Sequence, residues 1–261
     1  MPELIEVEVY RRLAEAVVGR TITGVEAPDA WFLKRGLTDG MVIGALTGAT
    51  VVSTDRMGKL LLMEFAGERP TLGLRFGMTG RLALDHHAPI AKLEYSSGRD
   101  DPAWDRFALR FDDGERLRLS DPRRLGGVEL DPDLDALGPD AWTLTVTALR
   151  AALANSTTTL KARLLDQSRV AGLGNLLVDE TLWRVGLSPW RLAGSLTPAE
   201  QKQLADTIRQ TVRLLFRRGG SHRGDLHEQR NRHGHCPRDG NPLRRDTVGG
   251  RTTYWCPYHQ A

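Results

Sequence analysis

The sequence has few of the features that would indicate a secreted or membrane-bound protein. Its 261 residues include only two cysteines, Cys236 and Cys256, which allow at most one disulfide. No apolar run approaches the roughly eighteen residues of a membrane-spanning helix. No basic segment followed by an apolar one opens the chain, so we expect no export signal. The length and composition predict a soluble, cytoplasmic protein of two domains.

Lysine is also scarce, since only five of the 36 basic residues are lysines. The formal net charge of +3 hides an asymmetry, because residues 209–261 hold eleven arginines and four acidic residues. Arginine grips phosphate through two parallel hydrogen bonds. A basic C-terminal segment is compatible with a nucleic-acid partner, but charge alone more often marks an ordinary solvated surface.

Apolar periodicity predicts a mixed α+β protein. Residues 3–18 have helical spacing, and alternating or apolar segments between residues 21 and 119, including 41–54, predict strands. Asp113-Gly114 indicates a tight hairpin turn. Thr197-Pro-Ala-Glu200 is a capping box that begins a helix ending at Gly219-Gly220, and a second hairpin is expected around Gly249-Gly250. The predicted segments are a β-rich domain at 1–130, a linker at 131–142, a helical domain at 143–220 and a C-terminal hairpin region at 221–261.

The end of the chain has the spacing of a metal site. Cys236-Pro-Arg-Asp239 and Cys256-Pro-Tyr-His259 each place two residues between potential ligands, as in a zinc hairpin. A carboxylate is the weakest ligand for a structural zinc ion, so His233 and His235 are alternative fourth ligands. A hairpin that folds without metal, with packed cysteines, is a further alternative.

Gly172-Leu-Gly174-Asn175 lies between a predicted helix ending near Leu165 and another beginning near Leu176. Glycines at a helix N-terminus leave backbone amides accessible to a phosphate oxygen. Taken alone, such glycines more often simply turn the chain.

Seven motifs together resemble the formamidopyrimidine-DNA glycosylase and endonuclease VIII family, over nearly the whole chain. In order, they are Pro2-Glu3-Leu4 with Glu6, Met57-Gly58-Lys59, Gly77-Met78-Thr79-Gly80, Asp121-Pro-Arg-Arg124, Leu137-Gly138-Pro139, Gly172-Leu-Gly-Asn175, and Gly250-Arg251-Thr-Thr before the final Cys-Pro. The resemblance implies two lobes: an N-terminal β-sandwich with a leading helix, and a helix-two-turn-helix domain that ends in a zinc-finger hairpin.

The resemblance also implies a catalytic group at the start of the chain. Removal of the initiator methionine would expose Pro2 as a secondary amine that attacks C1′ of a damaged nucleotide. The resemblance assigns Glu3 as the acid/base and Glu6 as a second acid of the site. Without it, Pro2 would simply permit methionine removal, and both acids would be ordinary first-turn residues.

The resemblance assigns the remaining positions to DNA contacts. Lys59, Asn175 and Arg251 match phosphate-binding residues, and Gln167 and Gly174 belong to the two-turn motif. Met78, Arg123 and Leu125 match the residues that fill the space left by an extruded nucleotide. Without the resemblance, Lys59 would be a strand-end lysine and Met78 a core residue.

Three departures from the family pattern affect these expectations. Ile5 replaces a proline, and Gln167 stands where asparagine is common. Only fourteen residues, SHRGDLHEQRNRHG, separate Gly219-Gly220 from His235-Cys236, which is shorter than the loop that covers oxidised purines in formamidopyrimidine enzymes. Oxidised pyrimidines, abasic sites or bulkier lesions are therefore the expected substrates.

The leading hypothesis is a bifunctional DNA glycosylase and abasic-site lyase that acts by β,δ-elimination in base-excision repair. The expected partner is double-stranded DNA with damaged bases or abasic sites, and the expected cofactor is structural Zn²⁺. We expect a monomer at the bacterial nucleoid that does not bind membranes. The alternatives are a non-catalytic DNA-damage-binding homologue and an unrelated zinc-hairpin regulator.

Overall fold

The computed structural model describes residues 2–90, 93–94 and 96–261. These residues form two compact units by their internal contacts. The N-terminal unit contains Pro2 and residues 6–134, and the C-terminal unit contains residues 3–5 and 135–261. The first helix, α1 (Leu4–Ala14), thus begins in one unit and continues in the other.

Two four-stranded antiparallel sheets form the N-terminal unit. One has the order β1-β6-β7-β5 and the other β2-β3-β4-β8. Their bounds are β1 (Ile22–Glu26), β2 (Val51–Met57), β3 (Leu60–Phe65), β4 (Leu72–Arg75), β5 (Arg81–Leu84), β6 (Asp105–Phe111), β7 (Arg116–Ser120) and β8 (Gly127–Leu130). Apolar side chains of both sheets share one core with Val7, Tyr10 and Ala14 of α1. This arrangement confirms the predicted β-sandwich with a leading helix.

The prediction of strand over residues 41–54 is wrong in its first half. Asp39–Leu46 forms the helix α2, and the chain becomes extended only at β2. The Thr38 hydroxyl caps this helix by accepting the Met41 N–H at 3.3 Å. Val42 and Leu46, four residues apart, are both buried on one face of this helix. The apolar segment in the sequence was compatible with a strand or with a helix, so its periodicity alone did not distinguish them.

The C-terminal unit is helical with a terminal hairpin. Its elements are α3 (Val146–Leu153), α4 (Leu160–Leu165), α5 (Asn175–Val185), α6 (Pro198–Arg218), β9 (Arg244–Val248) and β10 (Arg251–Trp255). The capping box of α6 is present, since Glu200 N–H bonds Thr197 Oγ1 and Glu200 Oε2 accepts the Thr197 N–H. Gly219 ends the helix at φ +93°. The hairpin turns at Gly249-Gly250, where both φ angles are positive.

Leu176 to Trp183 of α5 are all buried, which makes α5 the central helix of the C-terminal unit. In the part of the chain that the structure describes, no helix has the length and hydropathy to span a membrane.

Candidate functional site

Glu3 lies at the N-terminus of α5, with which it shares the C-terminal unit. Its side chain is fully buried. The carboxylate accepts three backbone N–H bonds, from Gly174 at 2.8 Å, Leu176 at 2.9 Å and Leu177 at 3.2 Å. The first amides of a helix have no partner within the helix and carry its positive dipole end. They therefore stabilise a carboxylate one peptide bond from Pro2.

Gly174 provides the space for this contact. A Cβ atom built on Gly174 would lie 2.2 Å from Glu3 Cδ, far inside van der Waals contact. From the sequence, the glycines of this loop could leave amides accessible to a phosphate or simply turn the chain. The Gly174 amide is instead used by Glu3, and a contact between positions so distant in the chain leaves no local sequence signal.

Asn175 connects α5 to the terminal hairpin. Its Nδ2 donates to the Thr252 carbonyl at 3.0 Å, one residue beyond the exposed Arg251. Its Oδ1 is buried and has no hydrogen-bond partner among the described residues. The structure thus places Asn175 beside the strand that carries Arg251.

Gln167 holds the two-turn motif together. Its side-chain amide donates to the carbonyls of Leu165 at 2.8 Å and Leu173 at 3.0 Å, and its Oε1 accepts the Gly172 N–H at 2.9 Å. The side chain is therefore occupied within the turn that leads into α5.

Sequence reasoning missed a buried ionic cluster that joins α4 and α5. Lys161 of α4 is fully buried and its Nζ donates to Asp179 Oδ1 at 2.6 Å, to Thr253 Oγ1 at 2.7 Å and to the Thr252 carbonyl at 3.2 Å. Asp179 of α5 also binds the Arg230 guanidinium. Burial lowers the pKa of Lys161, and Asp179 opposes that shift. The cluster ties strand β10, and with it Arg251, to two helices.

In the N-terminal unit, Glu6 is buried in the first turn of α1. Lys59 is half-buried in the tight turn between β2 and β3, where Gly58 has φ +57°. Lys59 therefore lies at the end of the paired strands β2 and β3, directly beside the paired residues Met57 and Leu60.

Met78, Arg123 and Leu125 lie on two loops of the N-terminal unit that contact each other. Met78 is half-buried between β4 and β5, whereas Arg123 and Leu125 are exposed between β7 and β8. A Cβ atom built on Gly77 would lie 2.5 Å from the Leu125 carbonyl carbon, so the two backbones are in direct contact. The structure brings these two predicted loops together.

Cys236, Asp239, Cys256 and His259 form a cluster whose ligand atoms all lie within 4.8 Å of one another. Cys256 Sγ lies 3.2 Å from Asp239 Oδ2, and His259 Nδ1 lies 3.5 Å from Cys236 Sγ. When four ligand atoms surround a tetrahedral zinc ion at bond lengths of about 2.0–2.3 Å, they lie about as close to one another as these side-chain atoms do. His233 and His235 are not part of this group of four, so Asp239 is the fourth member.

The surroundings of the four side chains suit a metal ion. His259 Nε2 lies 3.1 Å from the Trp183 carbonyl, which orients Nδ1 toward the cluster. The Asn241 N–H binds Asp239 Oδ1 at 2.9 Å and leaves Oδ2 toward the thiols. This backbone hydrogen bond lowers the pKa of Asp239, and burial raises the pKa of the Cys256 thiol to about 11. The donor set of two sulfurs, one imidazole and one carboxylate fits zinc.

Comparison with known proteins gives one consistent result. The model of the formamidopyrimidine-DNA glycosylase N-terminal domain matches residues 1–128, and that of its H2TH domain matches residues 136–224. The formamidopyrimidine-DNA glycosylase of Paracoccus denitrificans is 35% identical over 294 aligned residues that cover 100% of both chains. That of Symbiobacterium thermophilum is also 35% identical, covering 98% of this chain and 88% of the relative.

Solved structures of relatives have the same fold. Lactococcus lactis Fpg in complex with abasic-site DNA covers 100% of both chains at 27% identity with a TM-score of 0.83. MutM in complex with carbocyclic 8-oxo-G DNA gives the same TM-score of 0.83 at 29% identity and 99% coverage of each chain.

Proposed function

The chain belongs to the formamidopyrimidine-DNA glycosylase family and is a DNA glycosylase of base repair, and we propose that it also cleaves the abasic site it creates. The observation that carries this proposal is the buried Glu3 carboxylate, which directly follows Pro2 and accepts three backbone N–H bonds at the N-terminus of α5. An acid so held is oriented for proton transfer to a bound sugar.

The proposed reaction begins at Pro2 after removal of the initiator methionine. An α-amine has a pKa of roughly 8, so more of it is uncharged at neutral pH than of a lysine amine. The nitrogen attacks C1′, and the damaged base leaves with the electrons of the glycosidic bond. The Glu3 carboxylate takes the proton that the Pro2 nitrogen loses and passes it to the ring oxygen as the C1′–O4′ bond breaks and the iminium forms. The resulting iminium acidifies the C2′ proton. Its loss breaks the C3′–O bond, and a second elimination breaks the C5′–O bond.

Double-stranded DNA with a damaged or abasic nucleotide is the proposed partner. Solved relatives are complexes with such DNA, as in the case of Lactococcus lactis Fpg bound to N7-benzyl-Fapy-dG DNA. In this chain Lys59, Asn175 and Arg251 would hold phosphates. Met78, Arg123 and Leu125 would occupy the space left by the extruded nucleotide. We further propose that the protein acts as a monomer on cytoplasmic, nucleoid DNA.

Zinc is the proposed ion of the cluster formed by Cys236, Asp239, Cys256 and His259. Bound there, it would stabilise the hairpin that carries Arg251 and take no part in bond breaking. Cys236 and Asp239 precede β9, whereas Cys256 and His259 follow β10, so the ion would close the open end of the hairpin.

The proposed lesions are oxidised pyrimidines, abasic sites or bulkier bases. The segment before Cys236 is short and is held to α5, because Glu180 accepts the N–H groups of Asp225 at 3.0 Å and Leu226 at 2.9 Å. A Cβ atom on Gly224 would lie 2.4 Å from Glu180 Oε2, which confirms how closely this segment is packed. A segment held in this way has little free length to fold over a purine.

Borohydride trapping on duplex DNA with an abasic site tests this function. The wild-type protein should form a covalent adduct, and Pro2→Gly should weaken it sharply while DNA binding is retained. On a duplex that carries an oxidised pyrimidine instead, Glu3→Gln, which keeps an acceptor for the amides at the start of α5, should lose base excision. A wild-type protein that shifts the DNA without crosslinking would instead be a non-catalytic damage binder. Mass spectrometry that finds the initiator methionine retained would also contradict the mechanism.

A further inference from the structure

Asp121 is a buried carboxylate that bonds to both loops carrying the void-filling residues. Its side chain is fully buried at the end of β7. Oδ1 accepts the Thr79 hydroxyl at 2.5 Å, from the loop that carries Met78. Oδ2 accepts the Gly126 N–H at 2.8 Å, and Oδ1 also accepts the Arg123 N–H at 3.2 Å. One carboxylate therefore connects the two loops through one side-chain and two backbone donors.

The Met78 loop has further fixed contacts. The Gly80 N–H bonds the Phe76 carbonyl at 2.7 Å and closes the turn around Met78. The Gly80 carbonyl accepts the hydroxyl of Tyr10, a buried residue of α1, at 3.3 Å. Among the residues that the structure describes, Thr79 is the one that links this turn to Asp121 by a side chain, so its hydroxyl is the contact that a substitution can remove selectively.

The second loop is held from outside as well. Arg124 has φ +55°, which is unusual for a residue with a side chain. Its guanidinium makes two bonds of 2.6 Å to Asp29. The backbone conformation of Arg124, between Arg123 and Leu125, is thereby fixed by an ion pair on one side and by Asp121 on the other.

We propose that Asp121, acting with Thr79, is a positioning residue that holds the two loops as one preformed unit before DNA binds. This inference rests on the proposed function, because it concerns how Met78, Arg123 and Leu125 enter the duplex. Loops that were free to separate would have to be ordered at the moment of insertion, which costs conformational entropy. A preformed pair avoids that cost.

Two variants and one control test the proposal. Thr79→Val removes the hydroxyl at nearly constant shape. Asp121→Asn replaces one of the two accepting oxygens by an NH₂ group, which cannot accept a hydrogen bond from the loops. Thr50→Val is the matched control, because Thr50 loses a comparable 3.1 Å hydroxyl contact with Thr21 elsewhere in the same unit. Each protein is measured on duplex DNA with an abasic site opposite 2-aminopurine, and on a single-stranded abasic oligonucleotide that has no void to fill.

On duplex DNA, Thr79→Val and Asp121→Asn should each lower kcat/KM by about tenfold or more, the size expected for a lost bond to a buried charge. The 2-aminopurine fluorescence change on binding should slow by a similar factor. Borohydride adducts with the single strand should stay within about twofold of wild type, as should every measurement on Thr50→Val.

Equal losses on both substrates, or unchanged duplex activity and fluorescence in Thr79→Val, would overturn the proposal. Since Thr79→Val leaves no charge unpaired, it decides the question even if Asp121→Asn does not fold. A wild-type protein that forms no adduct on either substrate would refute the proposed function instead. The fluorescence of the variants would then still report loop insertion and test this inference separately.

Discussion

The Leu176 backbone N–H donates to Glu3 Oε1 over 2.9 Å, which joins the third residue of the chain to the first turn of α5. The acid assigned to sugar chemistry is therefore positioned by the helix that follows the two-turn motif. A change that displaces the backbone amides at the start of α5 should therefore disturb Glu3.

Gly174→Ala should abolish most base excision. The new methyl group would lie 2.2 Å from Glu3 Cδ, so the carboxylate must move away from the α5 amides. A displacement of about 1 Å can cost roughly 100-fold in rate, and single-turnover excision should fall by at least that factor. Gly44→Ala on α2, where the methyl would meet no atom within 4 Å, is the control and should retain full activity. Unchanged excision by Gly174→Ala would contradict the role given to Glu3.

Asp179→Asn should destabilise the protein by about 3–5 kcal/mol, because it leaves the buried Lys161 cation and the largely covered Arg230 cation without their shared carboxylate. Lys161→Met should cost less, since Asp179 keeps Arg230. Urea unfolding followed by circular dichroism measures both. Lys202→Met, which removes an exposed pair with Asp206 at 3.1 Å, should cost about 0.5 kcal/mol or less. A larger loss for Lys161→Met than for Asp179→Asn would contradict this account.

Local signals explain most of what the sequence predicted correctly. The capping box at Thr197 and Glu200 marks the start of α6 because both partners lie within one turn. The two Cys-Pro knuckles are likewise defined by short spacing, and the structure groups Asp239, rather than His233 or His235, with Cys236, Cys256 and His259. The family motifs at residues 77–80 and 121–124 were recognisable because each lies within a single loop.

Contacts between distant positions could not be predicted in this way. Lys161 looks like an ordinary polar residue in the sequence, and Asp121 is the first residue of a family motif that gives it no role of its own. Only the folded chain shows that both are fully buried. The strand prediction for Asp39–Leu46 was wrong for a different reason. A short apolar run fits a strand or a helix equally well, and here the Thr38 cap favours the helix.

Zinc binding should depend on Asp239 and not on His235. Purified wild-type protein should contain about one zinc ion per chain, Asp239→Ala should lose most of it, and His235→Ala should retain it. Asp239→Cys should release zinc to a chelator more slowly than wild type, because a thiolate is the stronger ligand for structural zinc. Inductively coupled plasma mass spectrometry and a colorimetric chelator assay provide the readouts. Full zinc content in Asp239→Ala would remove this carboxylate from the ligand set.

The ion pair between Asp29 and Arg124 should make a pH-dependent contribution to stability. The Arg124 guanidinium holds the pKa of Asp29 below its ordinary value, with burial opposing the shift. A carboxyl group whose pKa is lowered on folding stabilises the protein above its unfolded pKa of roughly 3.9, and loses that contribution as the pH falls through the folded value. Asp29→Asn should therefore lower Tm at neutral pH, and the difference from wild type should shrink below about pH 4.

Thermal unfolding of both proteins from neutral pH to about pH 2.5 measures this difference. Asp135→Asn, at an exposed carboxyl group, should follow wild type at every pH. Because Asp29 also accepts the Trp31 N–H at 3.1 Å, a neutral asparagine keeps that backbone contact through its carbonyl oxygen, and the measured difference isolates the charge. A Tm difference that stays constant down to the lowest pH would show that packing at Asp29, rather than its ionisation, holds the loop at Arg124.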